Sequence, residues 1–156
     1  MTLLRILVAL ALAGFSAGAL ACPDYSKDGD KYEFSGKELY TPKRFELVAG
    51  GGSELRSCHN VEPASARGRG WVTTRPDFTF YLSSLSGYDL DIRVTSECDA
   101  VLLVNSAAAN WYYDDDGNGN LDPQVRLSNP SSGWYDVWVG TFDGRYCDAT
   151  LTLETY

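Results

Sequence analysis

The sequence predicts an all-β protein, a β-sandwich or jelly-roll-like single domain. Three observations carry this prediction. Apolar and polar residues alternate with a period of two in many short runs, turn-forming residues separate the runs, and residues 22–156 show no sustained helical apolar stripe. Each such strand has an apolar face that must be buried, so strands of this length and spacing are expected to pack as two layered sheets.

Nine segments show the strand pattern. In chain order they are residues 31–34, 44–49, 71–74, 77–82, 89–94, 101–104, 124–127, 135–139 and 149–153. The run 101–104 is apolar at every position, which predicts a strand covered on both faces. The other clear strands have one polar face, and their acidic residues are expected to face solvent.

The first 21 residues predict a secretory signal peptide. Arg5 precedes an apolar stretch at 6–15, and small residues stand at Ala19 and Ala21. Cleavage after Ala21 would leave one domain at 22–156, located in the periplasm or outside the cell. No later segment is long and apolar enough for a membrane span, and we expect a monomer.

Four cysteines form an even set in a chain that is expected to be exported, which predicts two disulfides. The sequential pairing, Cys22–Cys58 with Cys98–Cys147, is favoured because each bridge would then staple one half of the chain. Cys22 also directly follows the expected cleavage site, where bacterial lipidation occurs. Lipidation would leave one thiol without a partner, so the disulfide is preferred.

Charge argues against a nucleic-acid partner. The chain carries −8, and removal of residues 1–21, which hold one Arg and no acid, brings the remainder to −9. One stretch, residues 56–75, is locally basic through Arg56, Arg67, Arg69 and Arg75. Interleaved glycines predict a solvated loop there, and a docking surface for an acidic partner is the alternative.

A calcium-binding loop is predicted at residues 114–122. Oxygen-bearing side chains occupy positions 1, 3, 5, 7 and 9 of an EF-hand-type loop, with Gly119 at position 6. These residues are Asp114, Asp116, Asn118, Asn120 and Asp122. Position 12 is Val125 where a bidentate Glu is usual, so another residue must complete the shell. The candidates are Asp136, Asp143, Glu97 and Asp99; the alternative is an acidic hairpin loop without an ion.

Aromatic residues suggest a second kind of site. Trp134 and Trp138 share one face of the strand near 135–139, and Trp111 precedes the acidic loop. An exposed aromatic surface of this kind would hold a glycan or a protein partner. The alternative is that the other sheet or the irregular first half of the chain covers this face, and large exposed apolar patches are uncommon.

Several segments of the second half form a recognisable set. They are YDLDIRV at 88–94, CD before VLLV at 98–104, Trp111 with the acidic loop and Pro123, GWYDVWVGT at 133–141, and ATLTL at 149–153. Residues from about 77 to 156 thereby resemble the bacterial pre-peptidase C-terminal (PPC) domain. The resemblance implies a calcium-associated β-sandwich that acts as an adhesion or secretion module beside a secreted enzyme.

No catalytic constellation is apparent in the sequence. The only histidine is His59, and the chain has no GxSxG, no HExxH and no phosphate-binding glycine loop. We therefore expect a non-catalytic exported calcium-binding module with an accessory or structural role. The alternative is a carbohydrate- or protein-binding adhesion module that uses exposed aromatics.

Overall fold

Two packed β-sheets form the chain, as the sequence predicts. The computed structural model describes residues 21–64 and 67–156. The strands in chain order are β1 (Asp30–Ser35), β2 (Lys43–Ala49), β3 (Ser53–Glu54), β4 (Trp71–Val72), β5 (Phe78–Ser83), β6 (Asp89–Ser96), β7 (Ala100–Asn105), β8 (Trp111–Asp114), β9 (Gln124–Ser128), β10 (Gly133–Thr141) and β11 (Cys147–Thr155).

Strand β10 is the centre of the larger sheet, sheet A. Its first half pairs with β5 and its second half with β7, while β8 pairs with β7 and the short β3–β4 pair joins β10 at Thr141. Strand β1 lies parallel to β5, from Asp30 beside Phe78 to Ser35 beside Ser83. Sheet B is antiparallel, in the order β2–β11–β6–β9.

The main core lies between the sheets and contains the residues whose alternation predicted the strands. Fully buried members come from both sheets, and they are Phe80, Leu82, Leu90, Ile92, Leu102, Val137, Leu151 and Leu153. Because side chains alternate along a strand, the residues between these positions lie on the outer faces of the sandwich. Those outer faces contain the candidate sites.

A second apolar cluster lies on the outer face of sheet A. Leu55, Val61 and Val72 pack there against Leu103 and Trp138. We call residues 53–64 and 67–72 the cover. They form an irregular part of the first half of the chain that lies over this face of the sheet. Residues 100–105 are all buried, which confirms the prediction that the 101–104 strand is covered on both faces.

Both disulfides have the sequential pairing. Cys22 bonds to Cys58, across a separation of 36 residues, and so ties the start of the described chain to the cover. Cys98 bonds to Cys147, 49 residues apart, and links the turn before β7 to the start of β11. Each bridge therefore closes a loop within one half of the chain, and such closure restricts the unfolded state.

The structure differs from the sequence prediction in several short elements, and two of them are strands β3 and β8, which the nine predicted segments do not include. A one-turn helix, α1 (Gly36–Leu39), follows β1 and is capped reciprocally by Ser35 and Glu38. A 3₁₀ turn at Leu55–Ser57 stands in the segment expected to be loop. Strand β4 ends at Val72 rather than residue 74, because the Thr73 hydroxyl donates to the Arg75 carbonyl and Pro76 lacks an N–H. At four residues, α1 is far too short to cross a bilayer.

Candidate functional site

The outer face of sheet A is ordered in rows that run across its strands. Directly paired residues on neighbouring strands share a face, so the strand register defines each row. One row, which we call the polar row, runs Trp111, Asn105, Asp136, Thr79 and Lys31. The next row towards the start of β10 runs Trp134, Tyr81 and Glu33, and we call it the aromatic row.

Buried hydrogen bonds connect two members of the polar row, Thr79 and Asp136. The Gly29 N–H donates to Thr79 Oγ1 at 2.8 Å, and this hydroxyl donates to Asp136 Oδ1 at 2.6 Å. Burial raises the pKa of the Asp136 carboxyl to about 6, partly offset by the Thr79 hydrogen bond. In the neighbouring strand, the Nδ2 atom of Asn105 is buried with no hydrogen-bond partner among the described residues.

The aromatic row lies open to solvent. Trp134 is 47% exposed and Tyr81 is 39% exposed. Their ring centroids are 5.1 Å apart at an interplanar angle of 59°, and Lys31 Nζ lies 5.5 Å from the Trp134 ring centroid. The row thus presents two tilted rings beside a cation, and the buried Thr79 and Asp136 lie in the neighbouring row of the same face.

Trp138 is not part of this open surface. It is fully buried under the cover, and its Nε1–H donates to the Thr74 carbonyl at 3.4 Å. Burial removes Trp138 from the exposed aromatic surface that was expected to hold a ligand, in agreement with the alternative that this part of the face is covered. Trp111 is half-buried and packs on Trp138 at 5.4 Å and on Tyr25 at 6.0 Å. Of the three predicted tryptophans, Trp134 is the exposed one.

The acidic loop is anchored through the ends of its predicted ligand set. Asp114 Oδ2 accepts from the N–H groups of Gly117 and Gln124, at 2.7 and 2.8 Å. Asp122 is buried, and its Oδ1 accepts from the Ser96 N–H and hydroxyl, at 2.9 and 3.0 Å. Asn118 Nδ2 donates to the Val94 carbonyl at 2.9 Å. These bonds tie the loop to strands β6 and β9.

The middle of the loop faces other acids. The pKa of Asp99 is raised, first by burial and then by the charges of Asp116, Asp115 and Asp143. Asp143 also binds Arg145, whose Nε lies 2.6 Å from its Oδ2. In the part of the chain that the structure describes, no group of three or more His, Cys, Asp or Glu residues is arranged to hold a metal ion.

The remaining predicted residues are dispersed. Asn120 stands exposed at a loop position with φ of 56°, and Glu97 is exposed in the turn after β6. Asp136 belongs to the polar row beside Thr79, near Asp28 and Lys31, and the structure does not bring it to the acidic loop. His59 is exposed directly after the buried Cys58.

Sequence reasoning missed Tyr81 and Lys31 as neighbours of Trp134. Alternation places Tyr81 opposite the apolar face of its strand, which is a readable signal. The pairing of β5 with both β1 and β10 is a contact between distant segments, and the local pattern contains no information about it.

Comparison with known proteins gives one structural likeness. No family model matches the chain, and no curated protein matches it. A solved structure of the Aeromonas hydrophila protein PliG, a periplasmic inhibitor of g-type lysozyme, is similar with 12% identity and a TM-score of 0.47, over 83% of this chain and 99% of that one. At this level of likeness the match carries no argument about function.

Proposed function

We propose that the chain is an exported, non-catalytic binding module that holds a protein partner with a basic surface through its aromatic row. The observation that carries the proposal is the exposure of Trp134, which is 47% accessible while Trp138, four residues later on the same face, is fully buried. Export is supported by the signal-like residues 1–21 and by the two disulfides.

The geometry favours a protein partner over a glycan. Tryptophan and tyrosine are enriched among the residues that dominate protein interfaces, where they fill pockets of the partner. The rings of Trp134 and Tyr81 meet at 59°, so they form a wedge and not the flat platform on which a sugar ring stacks. The buried hydrogen bonds of Thr79 and Asp136 hold the strands beneath this wedge in register.

Charge favours a basic partner. The chain carries −8 with a sequence isoelectric point near 4.5. The aromatic row itself contains Glu33, and the nearby Asp28 and Asp30 pair with Lys31 and Arg75, so Glu33 is the acid of this region that forms no ion pair among the described residues. Complementary charge speeds association and sets partner choice more than it sets final affinity. Binding is therefore expected to weaken as salt concentration rises, mainly through slower association.

The test is a binding panel of purified exported proteins, basic and acidic, measured by biolayer interferometry. We expect binding to at least one basic protein, and a loss of about 30-fold in affinity in Trp134→Ala. The matched control is Tyr146→Ala, because Tyr146 is the most exposed of the large hydrophobic residues at 67% and lies outside the aromatic row.

Two results would contradict the proposal. One is equal loss of affinity in the Trp134 and Tyr146 variants, which would indicate non-specific apolar contact. The other is that no basic protein on the panel binds, or that the acidic proteins bind as tightly as the basic ones. Melting curves of each variant establish that the fold is retained.

A structural calcium ion in the acidic loop is a second proposal. Its support is the proximity of Asp99 to Asp115, Asp116 and Asp143: burial first, and then their charges, raises the pKa of Asp99, and a cation would relieve the repulsion among them. The donor chemistry also fits, since carboxylate and amide oxygens are the ligands of calcium. Asp114 and Asp122, anchored at the two ends of the loop, would contribute carboxylate oxygens from fixed positions.

Thermal melting with calcium or EDTA tests this second proposal. Calcium is expected to raise the melting temperature in the wild type, and Asp116→Asn to reduce that rise. Asp148→Asn is the control, because Asp148 is exposed at the start of β11, outside the loop. If calcium leaves the melting temperature of the wild type unchanged, the calcium proposal is contradicted. That result would not bear on the proposed role of the aromatic row.

A further inference from the structure

A cavity of about 570 Å³ opens beside the cover, near the start of the acidic loop. Its lining combines three guanidinium groups with one phenol and one carboxylate. The lining residues are Arg56, Arg67, Gly68, Arg69, Tyr113 and Asp115. The volume lies within the range of small-molecule sites.

The backbone that carries these side chains is well supported. Arg56 lies in the 3₁₀ turn Leu55–Ser57, and the Leu55 N–H donates to the Gly70 carbonyl at 3.0 Å. A Cβ atom at Gly68 would stand 3.4 Å from both Leu55 and Tyr113, so the loop packs closely on the floor of the cavity. The disulfide of Cys58 fixes the same turn from the other side.

The three guanidinium groups form an unusual concentration of positive charge on a chain of net charge −8. Within residues 21–64 and 67–156, the arginines that form ion pairs are Arg75, Arg93, Arg126 and Arg145, and the cavity arginines are not among them. Arg56, Arg67 and Arg69 are all exposed. Guanidinium forks bind carboxylates and other oxyanions in bidentate fashion, so the cavity offers anion recognition.

Asp115 restricts which anion fits. Its Oδ2 accepts from the hydroxyl of the buried Tyr113 at 3.3 Å, and both residues line the same cavity as the three arginines. This carboxylate repels a ligand that carries only negative charge, and it accepts hydrogen bonds from ligand hydroxyls. The complementary ligand therefore has one acidic group and neighbouring hydroxyl donors.

We propose that this cavity binds an acidic sugar, a ring that carries a carboxylate and free hydroxyls. The arginines hold the carboxylate, and Asp115 accepts from the hydroxyls. The site is separate from the aromatic row, so its failure or success is independent of the proposed protein partner.

Calorimetric titration tests the assignment with four probes. They are an oligosaccharide containing glucuronic acid, a neutral N-acetylglucosamine oligomer of equal length, tetraglutamate and inorganic sulfate. We expect the acidic oligosaccharide to bind most tightly, and Arg69→Gln or Arg67→Gln to weaken it about tenfold. Asp115→Asn is expected to weaken the acidic oligosaccharide while strengthening sulfate, because the repulsive charge is gone.

Arg44→Gln is the matched control, since Arg44 is exposed on β2 in the other sheet and makes the same change in net charge. Trp134→Ala is expected to leave sugar affinity unchanged. The proposal is overturned if Arg44→Gln weakens binding as much as Arg69→Gln, if tetraglutamate or sulfate matches the acidic oligosaccharide, or if none of the probes binds. Melting curves confirm that each variant is folded.

Discussion

The two outer faces of the sandwich solve the same problem in different ways. On both faces, the outward side chains alternate along each strand with side chains that point into the core. Both faces must also provide hydrogen-bond partners for their buried polar groups and for the strands at the sheet edges. On sheet A, the cover shields Trp138 and leaves Trp134 open. On sheet B, side chains of neighbouring strands shield each other without a covering segment.

Charge pairing closes the outer face of sheet B. Asp91 is 0% exposed, and its Oδ2 accepts from Gln124 Nε2 at 2.6 Å and pairs with Arg126 Nη2 at 2.7 Å. Arg93 Nη1 lies 3.4 Å from Asp91 Oδ1, and Arg93 Nη2 lies 2.6 Å from Glu154 Oε2. A face whose charges are already paired has little to offer a partner. The comparison therefore favours sheet A, beside its cover, for the proposed binding surface.

The largest expected loss of stability follows a substitution in the covered half of sheet A. Trp138→Ala should destabilise the protein by about 4 kcal/mol, because the indole is fully buried and its removal leaves a cavity beneath Leu55 and Val72. Trp134→Ala removes the same side chain from the open half and should change stability by less than about 1 kcal/mol. Urea unfolding measures both. Equal losses would mean that the two halves do not differ.

The next largest loss of stability is expected when the charge pairing on sheet B is removed. Asp91→Ala should cost roughly 2 to 3 kcal/mol, because it removes the buried carboxylate that accepts from Gln124 and Arg126, while Arg93 keeps its pair with Glu154. The exposed Asp148→Ala, on the same sheet, should cost less than about 0.5 kcal/mol in the same urea experiment. A small loss in Asp91→Ala would show that the network is a solvated surface feature.

A smaller effect concerns pH and distinguishes sheet A from sheet B. Burial raises the pKa of Asp77 to about 7, although the Val139 N–H donates to its Oδ2, and the pKa of Asp136 to about 6. Both folded-state pKa values exceed the unfolded value near 4. At pH values between them, the folded protein therefore binds more protons than the unfolded protein. This contribution to stability is complete below about pH 4 and is lost as pH rises through 6 and 7.

We therefore expect the wild type to lose about 2 kcal/mol of stability between about pH 5 and pH 8. Asp77→Asn should remove most of this decrease in stability with pH, and Asp136→Asn should remove a smaller part of it. Melting curves recorded across this pH range measure both. Asp148→Asn should leave the slope unchanged. A wild type whose stability rises with pH would contradict the assigned direction of both pKa shifts.

The sequence predicted most of the strands, but it did not predict which outward-facing side chains are exposed to solvent. Period-two alternation located strands such as β5 and β6, because the pattern follows from one buried face. The even cysteine set yielded the correct disulfide pairing. The helix Gly36–Leu39 was missed, since a single turn has no periodic stripe, although Ser35 and Glu38 form a readable capping box.

Exposure on the outer faces depends on contacts between distant segments. Alternation placed Asp91 on a face predicted to be wet, but Arg126, three strands later in the chain, closes over it. Trp134 and Trp138 are equivalent by alternation and differ only because the irregular cover lies on one of them. The cover has no sequence period, so its position was not predictable.

Oxidation of tryptophan by N-bromosuccinimide, mapped by mass spectrometry, tests the division of sheet A most directly. In the free protein, Trp134 should react faster than Trp71 and Trp111, and Trp138 should react only on unfolding. A bound basic partner should protect Trp134 selectively. Oxidation of Trp138 at the rate of Trp134, or a bound partner that leaves Trp134 fully reactive, would contradict the account.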